Sequence, residues 1–431
     1  MSRHTAEIFL WGSRIGIVTQ DESELCASFE YDRDFIGSGI ELSPLMMPLS
    51  TRVYRFPQLA GIDAFRGLPG LLADSLPDTF GNAVIDEWLS RQGREPSSFT
   101  AIERLCYTGS RGMGALEYRP STGPQASSQE KIDVMFLSRL ADDVLASRAR
   151  LQASNDDADL AALLEFGTSA GGARAKVVLG WNEVTGEFRS GQLDLPAGFT
   201  QWIVKLAGVT RNRDKEDADR SDYQLVEYAY YLMACAAGIT MNECRLYKTG
   251  EFSHFMTKRF DRDTQTGKKI HMQSLAGLCH WNFNMPGVHS YEEAGMICRR
   301  LRLRQDSMQE LFRRMVFNVM ARNQDDHVKN VSFLMDRRGV WSLSPAYDLT
   351  FAYNPYGRWT GVHQMSINGK RDDITCVDLT TAAESMQLTK RQAQAIMSQV
   401  RDAVEHWFDF ADLAGLDEKR ARQINETFPQ I

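Results

Sequence analysis

Residues 311–348 constrain this chain more than any other stretch. A run with helical spacing of apolar side chains (Leu311, Phe312, Met315, Val316, Val319, Met320) leads into Asn323-Gln324-Asp325-Asp326-His327-Val328-Lys329-Asn330. An extended run from Val331 to Met335 follows. Then come a turn signal, Asp336-Arg337-Arg338-Gly339, and a second extended run from Val340 to Leu343, which leads to Ser344-Pro345-Ala346-Tyr347-Asp348. A hairpin over 331–344 turning near Gly339 is expected to pair Met335 with Leu343 and, at its open end, Asn330 with Asp348. One carboxamide oxygen and one carboxylate would then meet beside Asp325.

The chemistry follows from the residue types. An acceptor-only Asp, an Asn five residues later and a second Asp after a hairpin form the layout of kinase-type phosphoryl transfer. There the first Asp orients the attacking hydroxyl, and the Asn and second Asp hold magnesium. Hard oxygen ligands suit that ion, whose shell is completed by water and nucleotide phosphates. Asp, Asn and His are also ordinary loop residues, and the D-x-x-x-x-N spacing alone carries almost no information. The preceding helix, the hairpin and the Asp at its matching end make the combination informative.

Composition narrows the alternatives. At 431 residues there is room for two or three domains and a large core. A net charge of −7 and a pI near 5.7 argue against unaided nucleic-acid binding. Seven cysteines without a C-x-x-C pair argue against a disulfide framework or a thiolate zinc site. No apolar signal core opens the sequence and no run approaches membrane-spanning length. A soluble, cytoplasmic protein without a membrane partner is expected.

Along the chain, residues 6–54 carry short β-rich runs separated by turn signals, as in an antiparallel meander. A helical segment is expected around Gly81–Gln92. Gly109-Ser110-Arg111-Gly112-Met113-Gly114 is read as a structural turn rather than a phosphate cradle, because it does not join a strand to a helix in dinucleotide fashion. Pro120–Ala126 reads as a domain boundary, followed by a helix capped by Ser127 and Glu130. Gly167-Thr168-Ser169-Ala170-Gly171-Gly172-Ala173-Arg174-Ala175-Lys176 lacks Walker spacing; both a flexible turn and an anion cradle fit it. Lys205, on the apolar strand Gln201–Leu206, fits either a solvated edge charge or an ATP-phosphate contact. Glu227, on a helix from Asp222 to Ala237, fits either a partner for Lys205 or a surface acid. Phe255–Arg262 lies where an adenine-binding hinge would, and beyond it the chain is mainly helical, with Ser290-Tyr291-Glu292-Glu293 capping one helix and Thr389-Lys390-Arg391-Gln392 a long one reaching Phe408.

Together these blocks resemble the HipA family of serine/threonine kinases, the toxins of HipBA-type toxin–antitoxin modules. The likeness runs from the meander through Leu76-Pro77-Asp78, Gly112–Leu116, Ser169–Lys176, Val204-Lys205-Leu206 and Lys258–Arg262. It ends in Asp325–Asn330 and Pro345–Leu349, the most specific blocks. The resemblance implies an α+β fold with three parts. These are a β-rich N-terminal subdomain (1–125), the small lobe of a two-lobed protein-kinase-like core (126–262), and a mainly helical large lobe (263–431). It implies Asp325, His327 and Lys329 as catalytic-loop residues, and Asn330 and Asp348 as magnesium ligands. It also implies ATP contacts at Ser169, Gly171, Gly172, Lys176, Lys205, Lys258 and Phe260, and autophosphorylation at Ser169, with Thr168 beside it as an alternative acceptor. The implied partners are a helix-turn-helix antitoxin, DNA only through that antitoxin, and a protein substrate; family targets include aminoacyl-tRNA synthetases. Other readings are a non-catalytic or weakly catalytic co-repressor that holds the helix-turn-helix antitoxin on operator DNA, and a small-molecule kinase.

Two departures stand out. Arg174-Ala175 replaces the Gln-Glu pair common before the Lys, a version that looks like a subgroup less clearly tied to toxicity. Asp326 stands where Gly is common and is expected to crowd the loop slightly.

Overall fold

The computed structural model of the protein describes residues 3–123, 131–146, 174–192, 195–209 and 222–431. Its first layer is the expected meander. β1 (Arg3–Leu10) and β2 (Ser13–Asp21) are joined by the two-residue turn Trp11-Gly12, with φ of +51° and +89°. Positive φ at both positions matches the twist of the two strands, and the second requires little of a glycine. β3 (Ser28–Tyr31) and β4 (Tyr54–Arg55) extend the sheet, and β5 (Leu116–Arg119) returns to pair with β1, giving the order β4-β3-β2-β1-β5.

A second antiparallel sheet contains β6 (Lys176–Trp181), β7 (Phe188–Ser190), β8 (Thr200–Lys205), β9 (Cys244–Thr249) and β10 (Phe252–Lys258), ordered β7-β6-β8-β10-β9. The helix Thr79–Arg91 belongs to this layer by packing: Phe80, Val84, Ile85 and Leu89 share a core with Val177, Leu179, Trp202, Val204 and Met256. The helix Tyr223–Ala236 packs the other way. Val226, Ala229, Tyr230 and Met233 join the larger core of the helical half, where Tyr230 lies 5.4 Å from Trp407. Its hydroxyl donates to the carbonyl of Ala321, at the end of the helix Gln305–Met320 (2.5 Å).

β11 (His271–Ser274), β12 (Ser332–Met335) and β13 (Trp341–Leu343) form a third sheet. The hairpin turns at Gly339 (φ +81°), as expected, but its register differs. Met335 pairs with Trp341 and Phe333 with Leu343, a two-residue displacement from the expected pairing. The cause is the tight Asp336–Val340 turn, in which the amide of Asp336 donates to Val340 O (3.1 Å). A shift of two preserves which face each side chain occupies. Asp348 therefore lies two residues beyond the position opposite Asn330.

Capping boxes form at Ser290/Glu293 and Thr389/Gln392. The helix expected to run from Thr389 to Phe408 stops at Glu405. Trp407 starts a new helix instead, fully buried, with its indole N–H donating to Ala421 O (2.9 Å). The cap expected at Ser127 and Glu130 lies outside the described residues; the helix Val134–Ala146 follows it. Among the described residues, no helix is long and apolar enough to cross a membrane.

The glycine-rich loop at 109–114 is occupied structurally. Gly114 (φ +75°) donates its amide to Asp261 Oδ2 (2.7 Å), and a Cβ there would meet the Met272 amide nitrogen at 2.9 Å. Asp261 also holds Arg259 (2.7 Å) and Arg262 (2.7 Å), and Arg259 reaches back to the carbonyl of Gly112 (3.3 Å). This buried cluster locks the N-terminal sheet's loop to the segment that leaves β10.

Burial opposes charge on Asp261, but Arg259 and Arg262 outweigh it and hold the carboxyl far below the usual range. Removing it strands two buried guanidinium groups. Asp261→Ala is expected to lose about 3–5 kcal/mol, read as a lower urea midpoint. A depressed folded-state pKa means that the contribution is complete above about pH 4 and fades only below it. The gap to wild type should therefore stay flat from about pH 5 to pH 8.

Candidate active site

The site forms where the helix Gln305–Met320 gives way to irregular chain. Arg322 adopts a left-handed conformation (φ +51°), and Asn323 and Gln324 bridge to Ala352, the Gln324 amide donating to Ala352 O (3.0 Å). Asp325 is then presented with its side chain half-exposed, next to His327, whose Nε2 lies 3.9 Å from Asp325 Oδ1. A single 3-10 turn, Val328–Asn330, lets the Asn330 side-chain amide donate to Asp325 O (3.0 Å), which leaves its Oδ1 as the outward acceptor. Tyr347 braces the loop: its hydroxyl donates to Lys329 O (2.7 Å) and accepts from Ser332 Oγ (2.5 Å). Despite the altered register, Asn330 and Asp348 line one small cavity of about 20 Å3 with His327 and Tyr347. Asp348 itself has φ of +52°, a costly conformation for a residue with a Cβ.

Lys205 is the centre of charge. Its ammonium binds Glu227 at 2.5 Å and also contacts Asp348. Burial works against that ammonium, but the two carboxylates outweigh it and raise it well above its ordinary value. Burial likewise opposes charge on Asp348; Lys205, then Lys176, overcome it and hold the carboxyl at about 2. Glu227, only 2% exposed, is raised by burial, with Lys205 offsetting part of the effect. Of the two readings of Glu227, the partner of Lys205 is the one realised, and Lys205 is largely buried rather than a solvated edge charge.

Lys176 sits directly opposite Lys205 in the β6–β8 register, hence on the same face, and is 4% exposed. Lys258 differs. It pairs with Trp202, which alternation puts on the opposite face from Lys205. Its ammonium lies 3.7 Å from Glu243 and 5.9 Å from the Trp202 ring centre. Phe260 packs against Tyr347 (5.6 Å), and Lys329 lies 4.8 Å from the Phe283 ring centre. Thr168, Ser169, Gly171 and Gly172 lie outside the described residues.

Two carboxylates near this centre, Asp78 and Asp74, carry roles that the sequence reading did not assign, and a third, Asp326, has a role other than the one expected. Asp78 caps the helix Thr79–Arg91, Oδ1 accepting from Gly81 N (2.5 Å). Its Oδ2 is buried without a hydrogen bond, 4.0 Å from Lys176 Nζ. Asp74 accepts from the amide and hydroxyl of Ser274 (both 2.7 Å). Asp326 is buried and saturated with donors: Tyr291 OH (2.9 Å), His363 Nδ1 (2.9 Å) and Gln364 N (2.7 Å). It anchors the loop instead of crowding it. An Asp before a helix start signals a cap, so half of Asp78's role was readable; its proximity to Lys176 was not.

Among the described residues, no three His, Cys, Asp or Glu side chains converge as a metal cluster. The oxygen donors suited to a divalent ion are the ionised Asp348 and Asn330 Oδ1. An ion held by so few protein ligands takes the rest from water or phosphate, the habit of magnesium.

Comparison with known proteins is consistent across the chain. Residues 6–119 match the HipA N-terminal domain and residues 168–408 the HipA-like C-terminal domain. The HipA of Shewanella oneidensis MR-1, solved with HipB and its operator DNA, superposes with a TM-score of 0.68 at 17% identity, covering 98% of this chain and 94% of that one. A likeness at that identity speaks for the fold. A candidate kinase of Sinorhizobium fredii, Y4dM, is 26% identical over 253 residues, and a candidate kinase of Haemophilus influenzae is 30% identical over 119. The matches cover 54% and 25% of this chain, and 57% and 34% of those relatives.

The Asp78 carboxyl yields a pH test. Burial pushes it up to about 6, against the pull of Lys176. A raised folded-state pKa gives stability that is complete below the unfolded value and lost as pH rises through about 6. Asp78→Asn keeps a good cap acceptor but cannot titrate. Its stability relative to wild type should be higher at about pH 7.5 than at about pH 5, measured by thermal unfolding across that range.

Proposed function

The chain belongs to the HipA family, whose two domain models together span most of it, and we propose that it is an ATP- and magnesium-dependent serine/threonine protein kinase, the toxin of a toxin–antitoxin module. The observation that carries this reading is the single ammonium of Lys205 shared by Glu227 and Asp348. The ionised Asp348 offers a hard oxygen to a divalent cation, and the ammonium groups of Lys205 and Lys176 beside it offer positive charge to the phosphates. Magnesium, when bound, supplies charge neutralisation on the transferring phosphoryl group.

The chain's own residues then divide the work. Glu227 retains Lys205 and aims it at the nucleotide phosphates, with Lys176 on the same sheet face. Asp348 and Asn330 Oδ1 would hold the ion. Asp325, half-exposed at the mouth, orients the acceptor hydroxyl and takes its proton. His327 and Lys329 flank it in the same loop, and Phe260 and the backbone around Lys258 border the adenine side. The fold presents these groups in fixed positions, so rate comes from positioning and electrostatics rather than covalent chemistry.

Ser169 is the proposed autophosphorylation site; a phosphate there would repel those of ATP. The partner is a basic helix-turn-helix antitoxin through which the acidic chain meets DNA only indirectly, a reading supported by the HipB and operator DNA solved with the Shewanella protein. The acceptor is a bacterial protein.

The test is incubation of the pure chain with Mg-ATP followed by peptide mass spectrometry. Phosphate on Ser169 in wild type and none in Asp325→Asn is expected. Asp348→Ala and Lys205→Met should each cut ATP turnover by about 10²–10³ or more. If the wild type neither turns over ATP nor shifts its thermal transition with Mg-ATP, the kinase reading fails.

A further inference from the structure

The Asp326 carboxylate is hydrogen-bonded to none of the side chains given a role in the proposed reaction, yet it accepts three hydrogen bonds. Its Oδ2 accepts from Tyr291 OH and His363 Nδ1, both at 2.9 Å, and its Oδ1 from the backbone amide of Gln364 at 2.7 Å. Donor and acceptor roles run one way through the network. Asn323 Nδ2 donates to Asn318 Oδ1 (2.9 Å), Asn318 Nδ2 donates to the Tyr291 hydroxyl (2.8 Å), and that hydroxyl therefore spends its only proton on Asp326. Asn323 and Asp326, on either side of Asp325, are thus both fastened to buried side chains of the helical half.

Gln364 carries the connection outward. Its carbonyl accepts from Gly287 N (2.8 Å), and its side-chain amide donates to the carbonyl of Trp359. Gly287 lies in the loop 281–289, whose Phe283 ring is 5.7 Å from His327 and 4.8 Å from the Lys329 ammonium. One buried carboxylate therefore joins the loop bearing Asp325 and Asn330 to two neighbouring segments, 281–289 and 359–364.

We infer that Asp326 is the positioning residue of the phosphoryl-transfer loop: it fixes Asp325 relative to the segments 281–289 and 359–364, an inference that rests on the kinase reading. Asp325 is half-exposed and cannot fix its own position by burial. A catalytic group displaced by about 1 Å costs on the order of 10²-fold in rate. Of the groups proposed to hold Mg-ATP, Lys205, Glu227, Lys176 and Asp348 belong to other elements and Asn330 alone to the loop, so loosening the loop should cost turnover far more than nucleotide affinity.

The variants are Asp326→Ala, Asp326→Asn and Tyr291→Phe in the full chain. Asn can still accept from Gln364 N, but its amide opposes Tyr291 OH and requires the other His363 tautomer; Phe removes a single hydroxyl. Initial rates of ADP release, Mg-ATP Kd by calorimetry, and amide exchange over 281–289 and 359–366 are compared with wild type. Asp326→Ala should lower turnover roughly 10²-fold, with Asn and Tyr291→Phe in between. Kd should stay within about threefold, and both segments should lose protection together. Three results overturn the inference: wild-type turnover in Asp326→Ala, unchanged exchange in the two segments, or a loss of Mg-ATP affinity as large as the loss of rate. A wild type that neither binds nor turns over Mg-ATP overturns the kinase reading itself, and is distinguished from those results by the inactivity of the parent chain.

Discussion

The ion pair of Lys205 with Glu227 and Asp348 is the contact around which the rest is arranged. It joins three elements distant in sequence: a strand of the second sheet, the helix Tyr223–Ala236, and the chain that follows the hairpin. Burying a lysine is costly unless its charge is matched, and the match here is near-complete because both carboxylates come from rigid surroundings. Glu227 sits on a helix that packs into the large core, and Asp348 follows Tyr347, whose hydroxyl is hydrogen-bonded to the loop 325–330. The helix and the loop are linked again by Tyr230, which closes the end of the helix Gln305–Met320. A change at any of these points would be felt at the lysine.

The N-terminal sheet is more than an appendage to this arrangement. Asp74, in the segment between β4 and β5, holds Ser274, the cap of the helix Leu275–Cys279, and Asp78, the cap of the helix Thr79–Arg91, lies against Lys176. The glycine-rich loop is held by the Arg259-Asp261-Arg262 cluster. Carboxylates from the first 80 residues thus enter the electrostatics of the cleft, and burial rather than solvent determines how strongly they act.

Local signals were readable where a local cause exists. The Ser290 and Thr389 capping boxes, the Gly339 turn, the meander and the helix before Asp325 follow from short-range hydrogen bonding and periodicity. The hairpin register was misjudged by two residues because turn length, not strand composition, determines it. The helix ending at Glu405 broke where Trp407 found a buried site, a tertiary gain larger than one more turn of helix. Asp326 was expected only to crowd the loop, because nothing local shows the three donors, from Tyr291, His363 and Gln364, that folding brings to it.

By itself, then, the sequence determined the chemistry on offer. It supplied hard oxygen donors and a half-exposed Asp on a helix–turn–hairpin frame, and lysines on apolar strands, since side-chain type and period are written into the chain. Only the tertiary structure decided which charges meet. Strand pairing put Lys176 beside Lys205 on one face and Lys258 on the other, and packing chose Glu227 as a buried partner rather than a surface acid. Folding also buried Asp326 as an anchor. Electrostatic strength depends on distance and dielectric, and neither exists until residues far apart in the chain are packed together.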